Sequence, residues 1–230
     1  MNTKSPDDSL SASSSPDIAD LEEARDRQEH RELEPVLRDF QAHGYRVMTA
    51  YDITDLYHAT YPPRVAQILA MWLLNVQGDW ARTILAHALN NTSARGIATP
   101  ALMEAFRQGG KRIGGALRGH IAMSMERTAT ESDLPGLMSL AASREYGTDR
   151  ASILIALTKA GRSRADVVAL LLQLLEDDSV APAAAAALGR LKVREATPKI
   201  EKLLGHPEAW VRASVKRILR SLKAPPKADK

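Results

Sequence analysis

The side chains of this sequence that could do chemistry are mostly cationic, and few of them are spaced as a reacting set. Lys111 and Arg112 lie between glycines in the run from Gly109 to Gly115, which superficially looks like a phosphate-cradling loop. The Gly-x-x-x-x-Gly-Lys-Ser/Thr spacing that lets backbone amides and a lysine share a polyphosphate is absent, and no strand precedes the run. It reads as a turn between helices carrying an incidental basic pair, which with Arg107 could form a local anion site. The six histidines, His30, His43, His58, His87, His120 and His206, include no i, i+4 pair. Two ligands on one helix face are therefore not expected. Cysteine is absent, which removes disulfides, thiolate metal sites and a thiol nucleophile together. No serine sits in a nucleophile elbow, and Glu176-Asp177-Asp178 reads as a solvated loop cluster. The expectation is a non-catalytic chain with no cofactor and no metal.

The strongest concentration of charge is at the C-terminal end. Residues 1–30 carry 3 basic and 8 acidic groups, and residues 190–230 carry 12 basic and 4 acidic, so a net charge of +3 conceals a polarised chain. Within the basic end, Val211, Val215, Ile218, Leu219 and Leu222 mark one face of a helix. Arg212, Lys216, Arg217 and Arg220 fall mostly on the other, and Lys223, Lys227 and Lys230 continue beyond it. Such a face can neutralise phosphates without reading sequence. It is also what a terminal repeat needs for solubility, and cations suit a helix C-terminus. Trp210 is the one aromatic beside it, which weakens a base-stacking role.

The elements that must position these groups are helices throughout. Apolar residues recur with a helical period in segments such as Pro63 to Val76, and no segment alternates with period two. Residues 1–18, rich in Ser, Asp and Pro, cannot offset the entropy of ordering and read as a disordered arm. Residues 19–222 read as one solenoid and residues 223–230 as a basic tail. Pro35 is expected in the first turn of a helix from Glu34 to His43, separate from a charged segment before it. Asp79 is expected to cap the helix that ends at Leu89, and Ser163 the one that ends at Leu175. Aromatics make up only 4% of the chain, so the core must be built from Ala, Leu, Val and Ile. The opening residues lack a basic and apolar leader, and no apolar run is long enough to span a bilayer. The expected location is the cytoplasm.

A repeat governs the C-terminal half. Asp149 to Ala160, Val180 to Leu191 and Val211 to Leu222 are amphipathic segments spaced by 31 residues, and Ala81 and Leu117 extend the series at intervals of 36 and 32. Units of this length cannot bury their apolar stripes alone, so they must stack. Leu188 and Gly189 belong at the seam between units. Ala187-Leu188-Gly189-Arg190-Leu191, Trp210-Val211-Arg212 and the His206-Pro207-Glu208 turn resemble the HEAT-repeat family, especially its short bacterial forms. Gly44-Tyr45 and Tyr61-Pro62 resemble the lead-in to the first full repeat of such proteins.

The resemblance implies an all-α, right-handed α-α superhelix of about five helix pairs, used for scaffolding or binding. It implies that the recurrent arginine, at Arg82, Arg118, Arg150 and Arg212, pairs with an acid or a helix end in a neighbouring unit. The fourth unit has Ala181 there instead. It also implies that the second helices line the concave side, offering Arg64, Gln67, Glu104, Arg107, Gln173, Lys199 and Lys202 to a partner. A protein partner is the first expectation. Nucleic acid bound through the basic end is the alternative, extending to alkyl-base excision, because Trp72, Asp79, Trp80 and Arg82 supply the residue types of HEAT-like DNA glycosylases. Their spacing does not match that family, and bulky residues closing the end of the stack account for them better. A lyase or chaperone role toward a cofactor protein rests on the fold alone.

Overall fold

The computed structural model describes residues 18–108, 115–162 and 164–223. Residues 1–17, Lys111, Arg112, Ser163, Lys227 and Lys230 lie outside the described residues, and with them the expected arm, the glycine-flanked basic pair and the far end of the tail. Among the described residues the chain is all helix, with twelve α-helices joined by short loops and 3-10 turns.

Helix α1 (Ile18–Ala42) is continuous and contains Pro35, which corrects the expected break before Glu34. Proline cannot donate to the carbonyl four residues back, and that carbonyl belongs to Arg31, which is exposed to water. Burial of Leu33, Val36 and Phe40 on the opposite side holds the helix together across the missing bond. Helix α2 (Ala50–Asp55) starts at a capping box in which Thr49 and Asp52 satisfy each other's backbone amides.

Five antiparallel pairs follow. They are α3 (Pro63–Asn75) with α4 (Asp79–Leu89), α5 (Thr99–Gln108) with α6 (Gly115–Thr128), and α7 (Leu134–Ala142) with α8 (Ala151–Ala160). The last two are α9 (Ala165–Leu174) with α10 (Ala181–Arg190), and α11 (Thr197–Lys202) with α12 (Ala209–Lys223). Gly78, not Asp79, is the N-cap of α4; Asp79 begins the helix. Helix α1 covers α3 and α4 at the open end of the stack.

The even-numbered helices form one layer and the odd-numbered helices the other. The repeat register holds along the even layer. Leu85, Ile121, Ile153, Ala184 and Val215 occupy one position of it, Leu89, Met125, Leu157, Leu188 and Leu219 another, and all ten are buried. Between them lie Ala88, Ser124, Ala156 and Ala187, all fully buried. Small residues at this position let neighbouring helix axes approach toward the short end of the usual 8–10 Å. Gly189 continues the theme, since a Cβ there would lie 2.7 Å from Ile218 Cγ2. The odd helices contact one another less, least of all α9 and α11. A two-layer stack whose layers differ in spacing bends toward the tighter one, so the even helices take the concave side.

Arginine ties the repeats together. Arg118 Nη1 donates to Asp149 Oδ2 at 2.7 Å, and its guanidinium lies 5.7 Å from the Phe106 ring centre and 5.6 Å from that of Tyr146. Arg150, 1% exposed, donates through Nη2 to Asp177 Oδ2 at 2.9 Å and to Ser179 Oγ at 2.6 Å. Its Nη1 reaches Ala141 O at 3.1 Å and its Nε reaches Gly147 O at 2.9 Å. The Ser179 hydroxyl and the Arg150 guanidinium hold the Asp177 carboxyl below the usual carboxylate range. At the two ends of the series the arginine turns back on its own unit: Arg82 Nε donates to Val76 O at 3.0 Å and Arg212 Nη1 to His206 O at 2.7 Å.

Arg150→Ala removes the buried partner of Asp177, leaving it only Ser179 and the exposed Arg144, and should cost up to about 3–5 kcal/mol. Arg118→Ala, whose acid is better hydrated, should cost less; denaturant melts of the two variants check the order. Leu188→Ala should cost about 2–5 kcal/mol by leaving a cavity at the α8–α10–α12 seam, and a loss below half a unit would contradict the register.

Candidate interaction surfaces

The residues expected on the concave side lie on the odd layer instead. Arg64 and Gln67 are on α3, Glu104 and Arg107 on α5, Gln173 on α9, and Lys199 and Lys202 on α11. They are spread along the outer layer rather than gathered. Most also have local partners. Arg64 Nη2 lies 2.6 Å from His43 Nε2, Arg107 pairs with Glu104 at 3.4 Å, and Lys199 pairs with Glu176 at 3.2 Å. The correction has a physical origin, because helical period alone does not say which helix of a pair carries the tighter layer.

The Trp/Asp/Arg grouping is likewise dispersed. Trp72 Nε1 donates to Asp39 Oδ2 at 2.8 Å, Trp80 packs against the His30 ring at 5.9 Å, and Arg82 is spent on Val76. These side chains join α1 to the first pair. Tyr61 does similar work, its buried hydroxyl donating to Ala88 O at 3.0 Å, and burial pushes its phenol up.

On α12, Val211, Val215, Leu219 and Leu222 are buried, while Lys216, Arg217, Arg220 and Lys223 are exposed. Arg212 does not belong to this basic face, since it caps the turn at His206 and Pro207.

Two features of the concave layer were not singled out from the sequence. The first is an aromatic and imidazole cluster at its N-terminal end. The Tyr57 ring stacks on His87 at 4.4 Å, His58 meets Tyr57 edge-on at 4.7 Å, and His120 lies 6.5 Å from His87. Arg127 lies over the Tyr57 ring, 5.4 Å from its centre. Among the described residues no group of three His, Cys, Asp or Glu could hold a metal. Burial, followed by the nearby charges of His120 and His58, pushes His87 below the usual histidine range.

The second is a pair of cavities at the C-terminal end. One, of about 510 Å³, is lined by Lys159, Arg162 and Arg190 with Val168, Leu191 and Val193. The other, of about 490 Å³, is lined by Arg190, Lys192 and Arg217 with Ile218, Ser214 and Ser221. Arg190 stands in the wall between them, and among the described residues no carboxylate lines either. Register was the available signal: Arg127, Lys159 and Arg190 recur at intervals of 32 and 31 residues. Between these two features the exposed positions are mixed, with Met123 half-exposed and Ile155 and Ala186 partly so.

No family model, no curated protein and no solved structure matches this chain. Among the described residues, no helix is long and apolar enough to cross a membrane.

His87 supplies a pH test. Its folded-state affinity for a proton is below that of the unfolded chain, so the unfolded state takes up the proton first as pH falls. Stability should therefore be fully present above about pH 6.5 and decline as the pH drops through that value. Thermal melts from about pH 8 to 5 should show this decline, and His87→Gln should flatten it. Loss of Asp177 ionisation contributes in a separate, more acidic window.

Proposed function

We propose that this chain is a non-catalytic, HEAT-like adaptor that binds a macromolecular partner, a protein in the first place, in the cytoplasm. The observation that carries the reading is the composition of its concave layer. Met123, Ile155 and Ala186 lie there between the imidazole cluster and the basic cavities, a mixture suited to a protein surface rather than to a uniform phosphate backbone. The polar groups best held in place, Arg118, Arg150, Asp149 and Asp177, are engaged between repeats; Asp177 also borders a cavity of about 250 Å³ with Arg144 and Gln173, but its carboxylate is already paired there with Arg150 and Arg144.

Nucleic-acid binding through α12 is the second reading, supported by the exposed row of Lys216, Arg217, Arg220 and Lys223. Base excision has less support, because Trp72 and Arg82 are each bound to other parts of the chain.

Affinity capture from a native lysate should recover a stoichiometric protein partner with the intact chain. Gel-shift titration on duplex DNA should show weak retention at low salt that disappears steeply as salt rises. Tight, salt-resistant DNA binding without a protein partner would reverse the order of the two readings.

A further inference from the structure

The twin cavities contain a cation whose partner is missing by register. Lys159, in the last turn of α8, pairs with Glu126 Oε1 of α6 at 2.7 Å. Thirty-one residues on, Arg190 occupies the same position in the last turn of α10. The position corresponding to Glu126 is then Thr158, whose hydroxyl is turned to Ile155 O at 2.8 Å. Thr158 lines the same cavity as Arg190. The rung that a carboxylate fills between α6 and α8 is thus vacant between α8 and α10, while its cation is retained.

Helix ends attract cations, which accounts for Lys159 and Arg190 in part. It accounts in part for Arg162 and Lys192 just beyond the same ends, but not for Arg217 in the middle of α12, and together they bring the two cavities to five cations and, among the described residues, no acid. Lys192 is the more telling, because it adopts φ 59°, a left-handed conformation that favours glycine. Its ammonium donates to Ser221 O at 3.2 Å, so it braces the wall of the second cavity against the end of α12.

The geometry points to a docking site for an acidic peptide segment of a partner protein. A Glu or Asp side chain takes the vacant rung on Arg190, and an apolar neighbour rests on Val168, Leu191 and Val193. This assignment rests on the adaptor reading and narrows its partner chemistry. The charge selects an anion. The apolar floor selects a peptide over a phosphate backbone, which has no side chain to place there, and Glu126 already shows a carboxylate taken at the same position one repeat earlier.

The test uses the full chain and a fluorescein-labelled peptide of alternating Glu and Leu, read by anisotropy at moderate salt. The intact protein should bind it, and an Arg162→Gln/Arg190→Gln variant should bind at least about tenfold more weakly. Arg38→Gln, which removes an exposed cation of α1 outside both cavities, should leave binding unchanged. No binding by the intact protein, or equal losses in the two variants, would overturn the site. Duplex DNA bound with the same Arg190 dependence, in place of the peptide, would overturn the choice of a peptide. Circular dichroism melts confirm that the exposed substitutions leave the fold intact. If the lysate partner is captured equally well by the Arg162→Gln/Arg190→Gln protein, the adaptor reading stands and this groove is excluded from it.

Discussion

The stack depends on a guanidinium taken almost fully out of water. Arg150 has every nitrogen engaged, two on backbone carbonyls of its own unit and one shared between Asp177 and Ser179 of the next. A charge so buried is tolerable only when its hydrogen bonds are complete and a counter-charge is at hand. Those requirements fix the loop before α8, the loop before α10 and the distance between them. Arg118 and Asp149 impose the same condition one unit earlier, and Asp149 adjoins Arg150 in sequence. Acid and base therefore alternate across successive repeats, so that displacement of one unit is resisted by two neighbours. The ladder ends at Ala181, which offers no cation, although Glu208 stands 31 residues after Asp177.

Packing along the even layer supplies what the ladder cannot. Apolar contact is not directional, and a row of Ala and Ser would allow sliding if it acted alone. The buried arginines set the register, and Ala88, Ser124, Ala156 and Ala187 then allow the helices to close on one another. The bend follows from the difference between this layer and the looser outer one. It gathers the histidine cluster and the two basic cavities on one side, with the apolar positions of α6, α8 and α10 between them.

Much of the fold could be read from spacing. The 31-residue interval located the even helices and their buried positions, and it placed Leu188 at a seam. Pro35 misled because local propensity was weighed without the apolar contacts that carry α1 through it. The choice of concave helices misled because amphipathicity identifies a buried stripe and not the layer spacing that sets curvature. The recurrent arginine was visible as a pattern, yet its acids were not, since Asp177 lies in what looked like a solvated cluster. The cavities escaped notice for a related reason. Their residues belong to four helices and two loops, and of their cations only Arg217 stood out as a possible contact, as part of a basic face. Comparing Glu126 with Thr158 through the register required knowing that α6, α8 and α10 are neighbours.

The ladder has a mechanical consequence. Its rungs clamp the second, third and fourth pairs, and it stops before α11 and α12. The last pair is attached by apolar contacts, by the Lys192 brace and by the exposed Lys199 on Glu176 and the Leu172 carbonyl. The molecule is therefore a stiff beam with a compliant tip. One cavity lies within the stiff part and the other across the joint to the tip, so the width of the second is set by small rotations of α12 while the first keeps its shape.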